Sequence, residues 1–455
     1  MKKFVSFLCV FGLVMAATAP LQAGGFAVTE IGAAGLGNAH AGGAAVAEDA
    51  ATVYWNPAGM TRLPGNKGAA SLVLLNPSYE FQPAQTATNA LGVPIDPVGA
   101  SGGDAGQALW LPNIFYTHSL SDRLKVGIDV VVPFSLDTEY DSLWVGRYYA
   151  LKSDLQTYDI SPAIAYRINE RWSLGAGISA QHLDAELTHA VDFGLINTLD
   201  CSNFYPLIPS IPTSDGAVAV TGDDWGYGFK LGVLFESSEN TRFGLTYRSK
   251  VEHTIDGRAG FTYPAAAPGI GADARVGLVN QDVKFDIDLP ATISVSGYHR
   301  IGQWAIRGDV TWTQWSTLDE LRVDYVNPGV ADEVTTLEWD DTLRFSVGLT
   351  WFYDDERTWH AGLALDQSPV SSPALQTPII PDEDSLWLSL GGSWKLDENW
   401  GLDFGGAYIW AIDDPEINRT APTPPARNEN TYRGNLNGSY DAAAYVLGVQ
   451  INRNF

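Results

Sequence analysis

Hydrophobic and polar residues alternate with a period of two over many segments of the chain. In one of these, Trp225 to Glu236, Trp, Tyr, Phe, Leu and Val occupy every second position, and Gly, Lys and Glu fill most of the others. Because side chains alternate across a β-strand, such a segment is predicted to be a strand with one apolar and one polar face. The same alternation appears in residues 304–313, 343–353, 386–396 and 445–455. Apolar residues on one face and glycine-rich polar residues on the other are typical of an outer-membrane β-barrel, which is apolar outside and polar inside.

Short polar turns alternate with longer segments along the same region. The short turns lie at 121–123, 169–171, 237–240, 300–302, 354–357 and 397–399, and an aromatic residue or Leu follows almost every one. Aromatic residues at a fixed depth suit a girdle at the membrane interface. The longer segments are residues 82–108, 138–154, 191–223, 258–282, 326–338, 367–384 and 411–439. These six short turns and seven long loops predict an all-β chain with about fourteen antiparallel strands, whose two ends lie on the short-turn side.

The first 23 residues have the features of a secretory signal peptide. Lys2 and Lys3 give a positive start, an apolar run extends from Phe4 to Ala17, and small residues lead to a predicted cleavage after Ala23. The apolar run is too short to span a membrane. Cys201 is then the only cysteine left, so an internal disulfide is excluded. An exported β-sandwich is the alternative, but its strands would alternate toward a core closed by a second sheet.

Acidic residues outnumber basic ones by a wide margin. The formal net charge of −26 becomes −28 once Lys2 and Lys3 leave with the signal peptide. Nucleic-acid binding depends on basic side chains that meet phosphates, so this charge argues against a nucleic-acid partner. It also opposes contact with anionic surfaces unless divalent cations intervene. The alternative explanation of the acidity is the solubility of exposed loops.

Residues 24–66 form a Gly- and Ala-rich segment that precedes the first predicted strand. This segment has too little apolar bulk to offset its ordering entropy and would not fold alone. A fourteen-stranded barrel, here residues 67–455, encloses a lumen too wide for its own side chains to fill. We therefore predict that residues 24–66 fold into the lumen as a plug. A disordered Gly/Ala linker below an open pore is the alternative.

Several motifs resemble the FadL family of outer-membrane long-chain fatty acid transporters. The segments Gly35–Ala39 and Ala47–Ala50 and the tripeptide Asn56, Pro57, Ala58 are similar to the plug of that family, which is called the hatch. Similar stretches follow at residues 245–249, 296–300, 352–355, 366–369 and 380–389. The resemblance implies a monomeric barrel in the Gram-negative outer membrane, in contact with its lipid. The implied function is passive uptake of hydrophobic compounds, in particular long-chain fatty acids.

The resemblance also implies that substrate leaves sideways through a gap at the third strand. That strand, predicted at 124–137, contains Pro133, which has no N–H to donate to a sheet. The family has a glycine near Ser135, and this chain lacks it. We therefore predict a lateral gate at Pro133, Phe134 and Ser135. A bulge that only curves the strand is the alternative.

A fatty acid head group calls for a cation inside the barrel. The basic residues that face the lumen by parity are Arg167, Lys230, Arg248, Arg307 and Arg344. By resemblance, one ligand follows an Ala-Tyr pair in strand four, which matches Arg167, and another follows strand nine, which matches Arg322. For Arg322 to face the lumen, the alternation of strand nine must shift by one residue, which requires a bulge near residues 315–318. Arginine suits a carboxylate, although each could instead pair with a lumen aspartate.

The mature N-terminus, Gly24, Gly25 and Phe26, resembles the tip of the hatch and is expected beside the substrate pocket. Uptake of aromatic hydrocarbons by the same fold is an alternative function that needs no head-group cation. An outer-membrane esterase or phospholipase would need a Ser–His pair with an orienting group. The seven histidines accompany no Gly-x-Ser-x-Gly signature. We predict no catalytic residue, no metal and no cofactor.

Overall fold

The computed structural model describes residues 24–201, 209–265, 278–327, 331–422 and 428–455, and the predicted signal peptide lies outside them. The described residues form twenty β-segments in one sheet. In chain order they are β1 Lys67–Pro83, β2 Leu109–Ser119, β3 Leu124–Val131, β4 Ser135–Glu139, β5 Lys152–Arg167, β6 Trp172–Asp192, β7 Asp215–Ser238, β8 Thr241–Arg248, β9 Val251–Thr262, β10 Gln281–Leu289, β11 Thr292–Ile301, β12 Trp304–Thr313, β13 Glu320–Tyr325, β14 Glu333–Thr336, β15 Thr342–Phe352, β16 Arg357–Asp366, β17 Ser385–Lys395, β18 Trp400–Ala411, β19 Glu416–Arg419 and β20 Leu436–Asn454.

These segments build a closed antiparallel barrel of fourteen strands within the described residues. Six of the strands are interrupted and consist of two segments each: β3/β4, β8/β9, β10/β11, β12/β13, β14/β15 and β18/β19. The last segment, β20, pairs with β1 from Lys67↔Asn454 to Pro83↔Gly438, and this ladder closes the barrel. Closure removes the free edges that an open sheet would expose to lipid. The prediction of a fourteen-stranded β-barrel is confirmed.

The apolar faces of the strands point outward, as the alternation predicted. Tyr227, Ile178 and Leu390 are 74%, 67% and 63% exposed, whereas inward neighbours such as Ser173 and Ser389 are buried. Near the short turns, Trp304 stacks on Trp351 with ring centroids 5.6 Å apart. Such an exposed apolar surface would be unfavourable in water and is stabilised by lipid.

The six predicted turns lie between strands, but the predicted loops 326–338 and 411–439 contain the short segments β14 and β19, and one further loop is much shorter than predicted. The loop predicted at 191–223 is replaced by β6 up to Asp192 and β7 from Asp215 onward. Along these strand ends the alternation is reversed: the buried face carries Leu183, Val218 and Val220 in a hydrophobic cluster, and the exposed face carries polar residues such as Asp184 and Thr221. The pattern of an apolar outer face therefore ends here although the ladder between β6 and β7 continues.

Residues 24–66 lie inside the barrel and contain only short helices. They are α1 Ala33–Leu36, α2 Gly43–Val46, α3 Thr52–Trp55 and a 3₁₀ helix, Pro57–Arg62. Outside this segment lie α4 Phe193–Ile196, a π-helical turn Asn197–Cys201, and the 3₁₀ turns Pro212–Ser214 and Trp315–Thr317. None of the described helices has the length and hydropathy needed to cross a membrane.

The hatch, residues 24–66, approaches the barrel wall most closely at inward glycines. A Cβ added at Gly362 would lie 2.5 Å from the Asn38 carbonyl oxygen and 2.6 Å from the Ala39 nitrogen. A Cβ added at Gly244 would lie 2.9 Å from the Ala45 nitrogen. Such distances leave no room for a side chain. The small residues of the hatch therefore pack directly against the glycines on the inner face of the barrel, and each side requires the other to be small.

Candidate functional site

Asn56 anchors the hatch to the barrel wall. Its side chain is fully buried, and its Nδ2 donates to the carbonyl oxygens of Ala44 at 2.6 Å and Val233 at 3.0 Å. Its Oδ1 accepts from the Ala58 N–H at 3.0 Å and so caps the 3₁₀ helix that begins at Pro57. The amide thus satisfies three buried backbone groups at once. The Asn56, Pro57, Ala58 motif therefore connects the hatch to the barrel wall by hydrogen bonds.

Arginines on the strands hold other parts of the hatch. Arg242 donates from Nε to the Ala45 carbonyl at 2.7 Å and pairs with Glu48 at 3.1 Å. Arg307 reaches the other oxygen of Glu48 at 3.0 Å. Arg344 donates to the Ala39 carbonyl at 3.1 Å. Most inward-facing arginines of the strands therefore bind hatch backbone, where a guanidinium can satisfy carbonyl groups that short helices leave free.

The third barrel strand, formed by β3 and β4, is broken at Val132, Pro133 and Phe134. Its ladder with β2 ends at Ile114↔Val130, and the next described contact on that side is the isolated bridge Gly106↔Thr138. On the other side, β5 pairs with both segments, but the register shifts by one residue between Val131↔Asp159 and Ser135↔Gln156. The break is thus one-sided, with an opening toward β2.

The N-terminal end of the hatch takes the place of β2 at this break. Val28 donates its N–H to the Pro133 carbonyl at 2.9 Å, and Ser135 donates its N–H to the Phe26 carbonyl at 3.2 Å. Ala27 and Phe134 form the bridge pair between them. The residues predicted at the hatch tip and at the lateral gate are therefore in direct contact. The backbone groups freed by the break are satisfied by a segment that is not part of the wall.

Aromatic rings surround this contact. The ring centroid of Phe26 lies 5.9 Å from that of Phe134, 5.0 Å from that of Trp315 and 6.1 Å from that of Trp339. All four side chains are at most 9% exposed. The 3₁₀ turn Trp315–Thr317 brings Trp315 inward at the place where a bulge was predicted. The hatch tip is thus held by apolar packing in addition to two backbone hydrogen bonds.

A cavity of about 150 Å³, which we call the gap cavity, lies on one side of the hatch tip. Its lining includes residues 24–28 and 135–137 with apolar side chains such as Leu75 and Ile409. Glu30, Asp366 and Asp382 also line it, and no Lys or Arg does so among the described residues. Burial raises the pKa of Glu30 to about 7 and that of Asp382 well above its usual value. The gap cavity therefore suits apolar or uncharged groups rather than an ionised carboxylate.

A second cavity of about 120 Å³, which we call the central cavity, lies on the other side of the hatch tip. Residues 27–29, Pro133 and Phe134 line it, together with Tyr54 and Trp55 of the hatch. Its charged lining consists of Lys230, Arg248, Arg344, Asp159 and Asp309. The aromatic rings and the cations place apolar and charged surface side by side, which suits an amphipathic molecule.

The two arginines carried over from the resemblance lie outside both cavities. Arg167 donates to the carbonyl oxygen of Thr61 at the end of the hatch. Arg322 is about 42% exposed and pairs with Glu320 at 2.7 Å and Asp332 at 3.2 Å. Their role as head-group ligands stays a prediction, without support from these positions. The alternation along a strand predicts which side chains face the lumen, but it does not predict how far along the barrel axis they lie.

Sequence reasoning missed the strand-like pairing of residues 26–28 with the break. The pattern around Pro133 showed that a donor was absent, but nothing in residues 24–31 has the alternation of a strand. The partner of the broken strand comes from more than 100 positions earlier in the chain. The alternation of hydrophobic and polar residues within one segment cannot predict a contact between segments so far apart in the chain.

Comparisons with known proteins agree with this architecture. A profile of the family described as "Outer membrane protein transport protein (OMPP1/FadL/TodX)" matches residues 13–455. The long-chain fatty acid transport protein of Escherichia coli O6:H1 is 31% identical over 405 residues, which cover 85% of this chain and 86% of that protein. That of Salmonella typhi is 29% identical over 390 residues, covering 85% and 87%.

Solved structures, including the following two, share the fold of this chain. A FadL homologue from Pseudomonas aeruginosa superposes with a TM-score of 0.85 at 22% identity, covering 95% of this chain and all of that one. The toluene transporter TbuX of Ralstonia pickettii gives a TM-score of 0.64 at 19% identity, covering 93% and 98%. The closed barrel and these relatives place the protein in the Gram-negative outer membrane. The chain belongs to the OMPP1/FadL/TodX family of outer-membrane transport proteins, which carry hydrophobic compounds.

Proposed function

We propose that the protein takes up long-chain fatty acids and releases them sideways into the outer membrane through the break in the third strand. The observation that carries this proposal is the one-sided break at residues 132–134, occupied by hatch residues 26–28. A gap filled by a separate segment can open by moving that segment, without breaking a ladder of the barrel. Relatives at 29% and 31% identity are named as long-chain fatty acid transport proteins, which supports the choice of substrate.

The physical chemistry of the substrate favours a sideways exit. Each methylene moved from water to an apolar environment contributes about 0.8 kcal/mol. A path along the barrel axis leads past the polar inner faces of the strands, whereas the break opens toward the apolar outer surface. The gap cavity and the central cavity meet at the hatch tip, since Ala27 and Val28 line both. A chain that displaces residues 26–28 would therefore pass from one cavity to the other beside the break.

A reversible disulfide tests whether the hatch tip must move. Ala27 and Phe134 are a bridge pair, flanked by the hydrogen bonds from Val28 to Pro133 and from Ser135 to Phe26. This is a non-hydrogen-bonded antiparallel pair, whose Cα separation of about 4.5 Å suits a disulfide. We would introduce Ala27→Cys and Phe134→Cys with Cys201→Ser, and measure oleate uptake by whole cells.

Oxidation should abolish uptake and reduction should restore it, because only the oxidised form fixes the tip in the break. The matched control is the single variant Phe134→Cys in the same Cys201→Ser background. Its oleate uptake should be the same with and without the oxidant. Equal uptake in the oxidised and reduced states, with the disulfide verified by mass spectrometry, would refute the lateral route. The substrate would then have to pass the hatch elsewhere.

A further inference from the structure

The three basic side chains of the central cavity differ in their partners. Lys230 pairs with the buried carboxylate of Asp129, and Arg344 pairs with Asp366 at 3.2 Å. Arg248 has no carboxylate within ion-pair distance among the residues that the structure describes. It is thus the cation of this cavity whose charge is not directly matched. Arg248 is partly exposed, with its Nε buried, and a guanidinium in a cavity without a carboxylate partner offers its N–H groups to an anion.

The position of Arg248 is fixed by the hatch. It ends β8, and its Nη2 donates to the carbonyl oxygen of Tyr54 at 3.0 Å. Its Cζ lies 3.8 Å from the ring centroid of Tyr54 and 5.8 Å from that of Trp55. Its Nε is buried without a hydrogen-bond partner. A guanidinium stacked on a ring and held at one nitrogen is oriented, and its remaining N–H groups are available to a planar anion.

His40 is a second unsatisfied group in the same cavity. It lies between α1 and α2, is 4% exposed, and neither ring nitrogen has a hydrogen-bond partner among the described residues. Its ring stacks on Trp55 with centroids 5.2 Å apart. Burial, with Arg344 nearby, lowers the pKa of His40 to about 3, so the imidazole is neutral and carries one N–H donor. Trp55 therefore lies against both His40 and Arg248.

We infer that Arg248 and His40 bind the carboxylate of the fatty acid in the central cavity, while its chain extends past Phe134 toward the break. This inference rests on the proposed function and adds a head-group site to it. The site distinguishes an acid from an uncharged hydrocarbon, which would leave both groups unsatisfied. The gap cavity, lined by Glu30, Asp366 and Asp382 and by no Lys or Arg among its described residues, would receive only the chain.

Two aspartates oppose the anion and set an upper limit on its affinity. Asp159 accepts from Ser161 at 2.5 Å and from Ser179, and Asp309 accepts from Ser296 and from Thr311 at 2.7 Å. Neither is paired with a cation at ion-pair distance among the described residues. Their negative charge is expected to weaken carboxylate binding at this site. A transport site has to release its substrate, so moderate affinity is appropriate.

Equilibrium binding of oleate and of oleyl alcohol to the purified full-length protein tests the site. The two probes share a chain and differ only in the head group. Arg248→Gln should weaken oleate binding roughly ten- to hundredfold, which corresponds to one lost hydrogen bond to a charged group. Oleyl alcohol binding should change less than twofold or so. His40→Phe keeps the stack on Trp55 and should weaken oleate alone, by roughly three- to tenfold.

Arg357→Gln is the matched control, because it removes an arginine that pairs with Asp354 in an exposed turn far from the cavity. The inference is overturned if Arg248→Gln binds oleate like the parent, or if it loses oleate and oleyl alcohol equally. A loss of oleate in Arg322→Gln but not in Arg248→Gln would overturn it in favour of the other arginine. If Arg248→Gln does not insert, Arg248→Lys replaces it and should weaken oleate roughly three- to tenfold with oleyl alcohol unchanged. A parent protein that binds neither probe would contradict the proposed function itself.

Discussion

Replacing Gly362 by Ala should displace the hatch while leaving the barrel folded. The new Cβ would lie 2.5 Å from the Asn38 carbonyl oxygen and 2.6 Å from the Ala39 nitrogen. Both are backbone atoms, so no side-chain rotation relieves the overlap. The Asn38 carbonyl carbon would lie closer still, so the turn at 38–39 must retreat by more than about 1 Å to reach ordinary van der Waals distance. The wall at Gly362 cannot yield easily, because β16 is paired with β15 and β17 on both sides.

The retreat also breaks hydrogen bonds that hold this turn. Asn38 Nδ2 donates to the carbonyls of Leu349 at 2.9 Å and Ala361 at 3.3 Å, and the Ala39 carbonyl accepts from Arg344 at 3.1 Å. Overpacking costs about 1–3 kcal/mol and each lost buried hydrogen bond about 0.5–1.5 kcal/mol. Overpacking and the loss of these three hydrogen bonds should together destabilise the docked hatch by about 2.5–7.5 kcal/mol. The ratio of displaced to docked hatch then rises by roughly 70-fold or more.

Single-channel conductance in planar lipid bilayers measures this displacement, since the hatch fills the lumen. Gly362→Ala should open more often than the parent, with unchanged heat-modifiable migration of the barrel on gels. Gly401→Ala is the matched control, because the nearest atom to its Cβ would be 3.6 Å away. If Gly362→Ala conducts no more than Gly401→Ala, the hatch is not held by close backbone packing and the reasoning fails.

Two further predictions concern the break and the buried acid beside it. Pro133→Val adds a backbone donor and favours continuous pairing, so it should slow fatty-acid uptake by cells while binding to purified protein stays nearly intact. Its control is Pro162→Val, in a strand that pairs with β3 at Ile128↔Pro162 and with β6 before and after Pro162. Normal uptake in Pro133→Val with a paired third strand would count against the gate. Burial raises the pKa of Glu30 from 4.5 to about 7, so the docked hatch binds an extra proton between these values and gains stability as pH falls from about 8 to about 5. Hydrogen exchange of hatch amides, corrected for intrinsic rates, should slow correspondingly in the parent but not in Glu30→Gln, and equal pH dependence in both would exclude Glu30 as the cause.

The barrel could be predicted because lipid imposes a simple rule on every strand. Residues such as Tyr227 and Leu390 must be apolar wherever the outer face meets hydrocarbon, and this requirement repeats at every second position. The rule ends outside the membrane, so the pattern predicts a loop where the ends of β6 and β7 continue as strands. The positions of the short turns could also be predicted, because each turn contains polar residues that interrupt the alternation.

The interior could be predicted only in part, because its contacts depend on where the hatch runs. Parity placed Arg248 on the inner face together with Lys230 and Arg344. Lys230 has its carboxylate partner, Asp129, on the distant strand β3, whereas Arg344 has Asp366 directly opposite on the neighbouring strand β16. The family resemblance pointed to Arg167 and Arg322, but the first meets the end of the hatch and the second the exposed rim.

The hatch and the break in the third strand depend on each other physically. Pro133 removes a donor from the wall, and the one-sided break leaves the Pro133 carbonyl and the Ser135 N–H without partners from β2. Val28 and Phe26 satisfy those two groups. If the hatch tip leaves, the groups are exposed and the gap is open; if the wall were continuous, the tip would have no docking site. The same contacts therefore close the break and dock the hatch tip, and under the proposed function a ligand that competes for the position of Phe26 would release both together.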